Sequence, residues 1–328
     1  MPLNRLASHT PFSRHAYRTS IRLASTIMGK SGRVYVQGEA LQRRRENPNF
    51  GVFKAESGNE SFVFKRVPRP FYDLALRLAA EFTGSRRLRM HIDCNPEEDL
   101  LVYPYFRGTL LGLIQEDPDF PPAERQRILR RVAEAIQELH SKDWIHIEGN
   151  NKTVTDVALG DFDTAFKSEG GEPRQTPHAI GNVMWRSPEG QTGRGVTKAS
   201  DVFSFGLVCI YALGGGEFLL LNDYQKLVKH GIMPEMAIHV RHFSYFGLVP
   251  EGLLKQVNDE AWCKALKGAS RIAEETVREQ PELRFERWGE ELGSEALNMI
   301  SGMTNPDPTA RITIDQVLTH PWWHEANT

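Results

Sequence analysis

Two carboxylates one residue apart, in Asp161-Phe162-Asp163, follow the short apolar run Val157-Ala158-Leu159. Carboxylates supply the oxygen ligands that hard divalent cations take. A lysine closes another apolar run, Val63-Phe64-Lys65. An ammonium in that position either stays solvated or meets an anion, and its surroundings decide which. Glu148 and Thr153 lie in the polar stretch Glu148-Gly149-Asn150-Asn151-Lys152-Thr153, just before the carboxylate pair. Thr176 precedes Pro177, the spacing of a candidate phosphorylation site, although a Thr-Pro in a loop more often carries nothing. Cys94, Cys209 and Cys263 are far apart with no Cys-x-x-Cys pair, which argues for inert thiols in a reducing compartment.

The stretch from Leu159 to Glu189, LGDFDTAFKSEGGEPRQTPHAIGNVMWRSPE, resembles the metal-binding and activation segment of a eukaryotic Ser/Thr protein kinase. Asp161-Phe162-Asp163 stands where that family has Asp-Phe-Gly, and Ser187-Pro188-Glu189 where it has Ala-Pro-Glu. Asp201-Val202-Phe203-Ser204-Phe205-Gly206 resembles the central large-lobe helix. Asn305-Pro306-Asp307-Pro308-Thr309-Ala310-Arg311 and His320-Pro321-Trp322 resemble the closing elements. The matches occur in family order over roughly residues 50 to 324.

The resemblance implies phosphoryl transfer from ATP to protein Ser or Thr, with Mg2+ as the metal and a protein as substrate or binding partner. It implies Lys65 against the nucleotide phosphates, with Glu81 as its helix carboxylate, and Asp161 on the metal. Val52 and Tyr105 fall at the nucleotide cleft, Tyr105 within the hinge Tyr103-Pro104-Tyr105-Phe106 where adenine meets backbone groups. Glu189 and Arg311 would form a buried pair, and Asp201 would anchor the backbone of the catalytic loop.

Two departures bear on catalysis. With His146 as the motif histidine of Trp144-Ile145-His146-Ile147-Glu148, the general-base position holds Glu148 and the second metal-binding position holds Thr153 in place of asparagine. Thirteen positions from Glu148 to Asp161 are too few for a catalytic loop and two strands, so the strand before Asp161 is expected to lack its hairpin partner. The phosphate-covering glycines are replaced by Arg45, Asn47 and Phe50, which removes the close backbone approach that glycine allows. An inactive or severely impaired kinase, a pseudokinase with weak ATP and Mg2+ binding, is the expected result. The register is intact up to Ile147 and again from Val157. Loss of a whole block of codons, by splicing or in the gene model, would leave that pattern, and the uninterrupted chain would then be an active Ser/Thr kinase.

The elements that must position these residues form an α+β, two-lobed kinase-like fold, with a small β-rich N-lobe over 34–106 and a larger helical C-lobe over 107–328. Val34-Tyr35-Val36, Gly51–Ala55, Ser61–Lys65 and Leu100–Tyr103 read as strands, with a hairpin turn at Glu56–Glu60. A helix follows Pro70, bearing Leu74, Ala75 and Leu78 on one face. Ile128, Leu129, Val132, Ala135, Ile136 and Leu139 recur at helical spacing in a buried helix that ends at Leu139-His140. Residues 217–290 read as a long helical insert.

The 328 residues, 40% apolar, can bury a sizeable core. A net charge of -2 with interspersed signs gives no global attraction for nucleic acid or anionic membrane. No apolar run approaches the length of a membrane span. An intracellular protein, cytoplasmic or nuclear, follows. Residues 1–33 are basic and lack Asp and Glu, reading as a disordered tail or a mitochondrial transit peptide with Arg14, Arg18 and Arg22 on one helical face.

Overall fold

The computed structural model describes residues 25–43, 50–117, 119–146, 157–179, 181–216, 229 and 233–324. The expected transit-peptide face and the Glu148–Thr153 stretch therefore lie outside the described residues, apart from Ser25 to Met28.

The small lobe is a six-stranded antiparallel sheet: β1 (Thr26–Met28), β2 (Val34–Arg43), β3 (Gly51–Ser57), β4 (Glu60–Arg66), β5 (Asp93–Asn95) and β6 (Leu100–Pro104), in the spatial order β1-β2-β3-β4-β6-β5. The strands are rich in Val, Phe and Tyr, whose bulk packs well on a pleated surface. Ile27, Tyr35, Ala55, Phe62, Phe64, Leu100 and Val102 interlock as its core. The boundary expected at residue 33 is corrected, since β1 pairs with β2 and buries Ile27. A three-residue strand in a basic, Ser-rich stretch gives no periodic signal, which hid it. The β3–β4 turn is tighter than expected, with Gly58 at φ +60°, a left-handed conformation that glycine adopts without strain.

Helix α1 (Arg69–Glu81) starts with proline in its first turn, where a missing N–H costs nothing. It buries Tyr72 and Leu78 against the lobes. After β6 come α2 (Leu110–Glu116), capped by Thr109, whose hydroxyl accepts from Gly112 N at 2.6 Å, and α3 (Pro122–His140). All six predicted apolar positions of α3 are buried. A small two-stranded antiparallel sheet, β7 (Trp144–Ile145) with β8 (Phe166–Lys167), lies beside the end of α1.

Strands β9 (Arg174–Gln175) and β10 (Arg194–Val196) bracket the short α4 (Pro188–Thr192). The apolar α5 (Lys198–Ile210) then runs through the largest core, which joins Leu139, Phe162, Phe203, Met299 and Trp322. Residues 233–290 are helical as expected: α6 (Pro234–Phe246), α7 (Glu251–Val257) and α8 (Glu260–Glu279) close a separate apolar cluster around Phe243, Leu253 and Leu266.

Candidate active site

Lys65 stands on β4 directly opposite Val52 on β3, so the two side chains share one face of the sheet. The Lys65 side chain is 15% exposed, and its Nζ lies 2.5 Å from Asp161 Oδ1 and 2.8 Å from Asp163 Oδ2. Burial works against the ammonium, but Asp161 and Asp163 outweigh it and raise its pKa, so Lys65 is charged. Asp161 has φ +67°, a left-handed conformation that aspartate tolerates better than bulkier residues, and its side chain is 44% exposed. Phe162 turns the other way into the core, edge-on to the His146 ring at 5.2 Å between centroids.

The expected Lys65–Glu81 pair is corrected. Glu81 is the last residue of α1, where the helix end meets the β7–β8 pair. Its Oε1 accepts from Lys167 Nζ at 2.7 Å, its Oε2 from Trp144 Nε1 at 3.0 Å, and its backbone carbonyl from Lys142 Nζ. The hydrogen bond from Lys167 holds its carboxyl below the usual range. Lys65 pairs instead with the two carboxylates of the 161–163 segment. Asp163 fills the role expected of Glu81 from the other side of the cleft, and Asp73 pairs with Arg69.

Tyr105 is half-buried, with Lys54 Nζ 5.5 Å from its ring centroid. Arg89, which has no motif to announce it, reaches the hinge: its Nη2 donates to Pro104 O at 2.6 Å. Leu159, just before Asp161, bridges in parallel to Leu88, while the residues that would supply its hairpin partner lie outside the described ones. Leu159 N donates to Arg87 O at 2.8 Å, and its carbonyl accepts from Arg89 N at 2.7 Å.

Behind the cleft the framework is saturated. The Asp201 carboxylate accepts from the His146 backbone N at 2.9 Å and also contacts His140 Nε2 at 2.9 Å, while His146 Nε2 donates to Gly160 O at 3.0 Å. Glu189 and Arg311 have fully buried side chains 2.8 Å apart. Ser200 Oγ donates to Glu189 Oε1 at 2.8 Å, and Arg311 adds bonds to Ala199 O and Asn305 O and stacks on Phe203. Burial opposes the Glu189 charge, yet Arg311 holds its carboxyl below the usual range. Thr176 is half-buried, its hydroxyl lying 2.7 Å from His178 O and 2.8 Å from Gly193 O.

The protein kinase domain model matches residues 90–323, more than half of the chain. The chain belongs to the protein kinase domain family. It is 24% identical over 274 residues to the mitogen-activated protein kinase mpkA of Aspergillus fumigatus, a match covering 77% of this chain and 59% of that protein. It is 37% identical over 161 residues to the L-type lectin-domain containing receptor kinase SIT1 of Oryza sativa subsp. japonica, covering 42% of this chain and 24% of that protein. The kinase thus spans less than two thirds of the length of these relatives. Among solved structures it superposes on a chain of the CAK complex of Chaetomium thermophilum bound to ATP-gamma-S, with TM-score 0.61, 19% identity, and coverage of 90% of this chain and 92% of that one. It also superposes on the yeast RNA Pol II CTD kinase CTDK-1 complex, with TM-score 0.65, 14% identity, and coverage of 89% and 98%. At these identities the superpositions establish the two-lobed fold. No helix among the described residues is long and apolar enough to cross a membrane.

Proposed function

We propose that this protein is a Ser/Thr-type kinase-fold protein with a weak Mg2+–ATP site and little or no phosphoryl transfer, acting through a protein partner. The observation that carries this reading is the state of Lys65, held between Asp161 and Asp163 rather than paired with a carboxylate of α1. In that arrangement the ammonium is neutralised by the carboxylates that would otherwise face a metal. Asp161 is exposed enough to turn toward a divalent cation, and Asp163 adds a second oxygen donor, so the donor set suits Mg2+. A Mg2+ held there would screen phosphate charge. Lys65, released from Asp161, would then be free to contact the same phosphates.

Turnover needs more than this charge complementarity. A loop carboxylate must orient the substrate hydroxyl, and the sequence offers only Glu148 on a segment too short for a full catalytic loop. General-base help is worth roughly 10²–10⁴-fold, and Thr153 is a poor substitute for the asparagine that holds a second metal. Purified protein is expected to phosphorylate a generic protein substrate no faster than a Lys65→Ala control. Clear ATP-dependent phosphorylation abolished by Lys65→Ala would overturn the proposal.

A second reading is favoured by the completeness of the frame around the short segment, with Asp201 on the His146 backbone and His146 on Gly160. Those contacts suit a catalytic loop omitted as a block, by splicing or in the gene model, from an otherwise active kinase. Sequencing cDNA across the codons for His146 to Asn151 separates the two. An uninterrupted transcript, with no intervening genomic sequence able to encode His-x-Asp and a downstream Asn, rules out the second.

A further inference from the structure

One carbonyl of the hinge, Pro104 O, already has a side-chain donor. Arg89 N is fixed to Leu159 O, and its side chain runs beside Gly160, where an added Cβ would lie 3.3 Å from Arg89 Cβ and 3.4 Å from its Cδ. A side chain at 160 would press on the arginine stem, which would have to shift by a few tenths of an ångström. The guanidinium then bonds Pro104 O at 2.6 Å, with its carbon 4.8 Å from the Phe106 ring centroid and 5.6 Å from that of Tyr103.

We propose that Arg89 is an internal occupant of the adenine place, and that its side chain must leave Pro104 O and the faces of Tyr103 and Phe106 before a nucleotide base can bind. This rests on the weak-nucleotide reading above and deepens it by naming the residue that sets the affinity. A guanidinium is planar, stacks on aromatic faces and donates from its edge, as adenine does through its amino group, so the two compete for the same surfaces. The plug is displaceable, because Arg89 Nε is buried without a protein hydrogen-bond partner and burial works against the guanidinium charge.

The test is calorimetric titration of the wild-type chain, Arg89→Leu and Arg89→Met with adenosine, MgADP and magnesium tripolyphosphate, each protein first shown to melt cooperatively. Both variants should bind adenosine and MgADP at least about tenfold more tightly, the gain reflecting the small fraction of wild-type molecules with the plug withdrawn. Tripolyphosphate affinity should not change. Equal or weaker MgADP binding in both folded variants overturns the proposal. A gain for adenosine, with no binding of tripolyphosphate and no effect of Lys65→Ala on MgADP, supports the plug while refuting the phosphate-side reading. No binding of any probe to any of the three proteins refutes both.

Discussion

The two ends of the segment from Asp161 to Glu189 are built on opposite terms. At the Glu189 end, the carboxylate and Arg311 are fully buried, every strong charge has an opposite partner, and backbone carbonyls and Ser200 complete the shell. At the Asp161 end, one ammonium serves two carboxylates, one of them 44% exposed, and the usual helix carboxylate is engaged elsewhere. The first arrangement resists rearrangement, because moving either group strands a charge out of water. The second can be re-partnered by a cation or a phosphate at small cost. The kinase has kept the anchored end as fold and holds the open end as an adaptable cluster.

Breaking the anchored end should give the largest effect. Arg311→Ala leaves Glu189 buried and unpaired, and a loss of about 3–5 kcal/mol is expected in urea unfolding. A loss under about 1 kcal/mol would show that the two ends are energetically alike.

Acid should attack the same end next. His239 Nε2 donates to Pro188 O, and His242 packs on Phe203, the ring that Arg311 covers. Burial pushes His239 down to about 4 and His242 down to about 3. The unfolded chain takes up these protons near pH 6.5 and the folded protein does not. Stability therefore falls as pH drops from 6.5 toward 4, by up to about 1.4 kcal/mol per pH unit for each histidine. The depressed Glu189 carboxyl adds a loss below its ordinary value of 4.5. Replacing both histidines with glutamine should flatten the melting temperature between pH 6.5 and 4. An unchanged slope would place the acid sensitivity elsewhere.

At the open end, Lys65→Met leaves Asp161 and the largely buried Asp163 without their shared cation, a loss of about 1–3 kcal/mol that added Mg2+ should partly restore. Restoration by Mg2+ but not by an equal ionic strength of NaCl marks the cluster as metal-capable. Glu81→Gln should cost least, under about 1 kcal/mol, since its bonds to Lys167 and Trp144 are near the surface. A larger effect would mean that α1 is latched through its last residue.

The anchored end was legible in the sequence because its residues sit in short motifs whose order survives: Ser187-Pro188-Glu189, the Asp201 helix, and Arg311 after Asp307-Pro308. Lys65 and Asp161 were legible for the same reason. Glu81 was misplaced because a helix carboxylate's partner depends on what the helix end meets, and the last residue of α1 meets Lys167 and Trp144. Arg89 was missed because an arginine in a polar run, Arg86-Arg87-Leu88-Arg89, carries no periodic signal that its side chain turns inward. Leu159 found its bonds with Arg87 and Arg89, an exchange that only the folded approach of the two segments can arrange.

That clasp between residues 88 and 159 has a kinetic consequence. It closes a long loop, whose entropic cost short-range contacts escape, so the clasp is expected to form late in folding. Late contacts influence the speed of unfolding far more than the speed of folding. Since the clasp ties the segment that carries Arg89 to the segment that leads into Asp161, its opening rate is expected to set how long the cleft persists in any one arrangement.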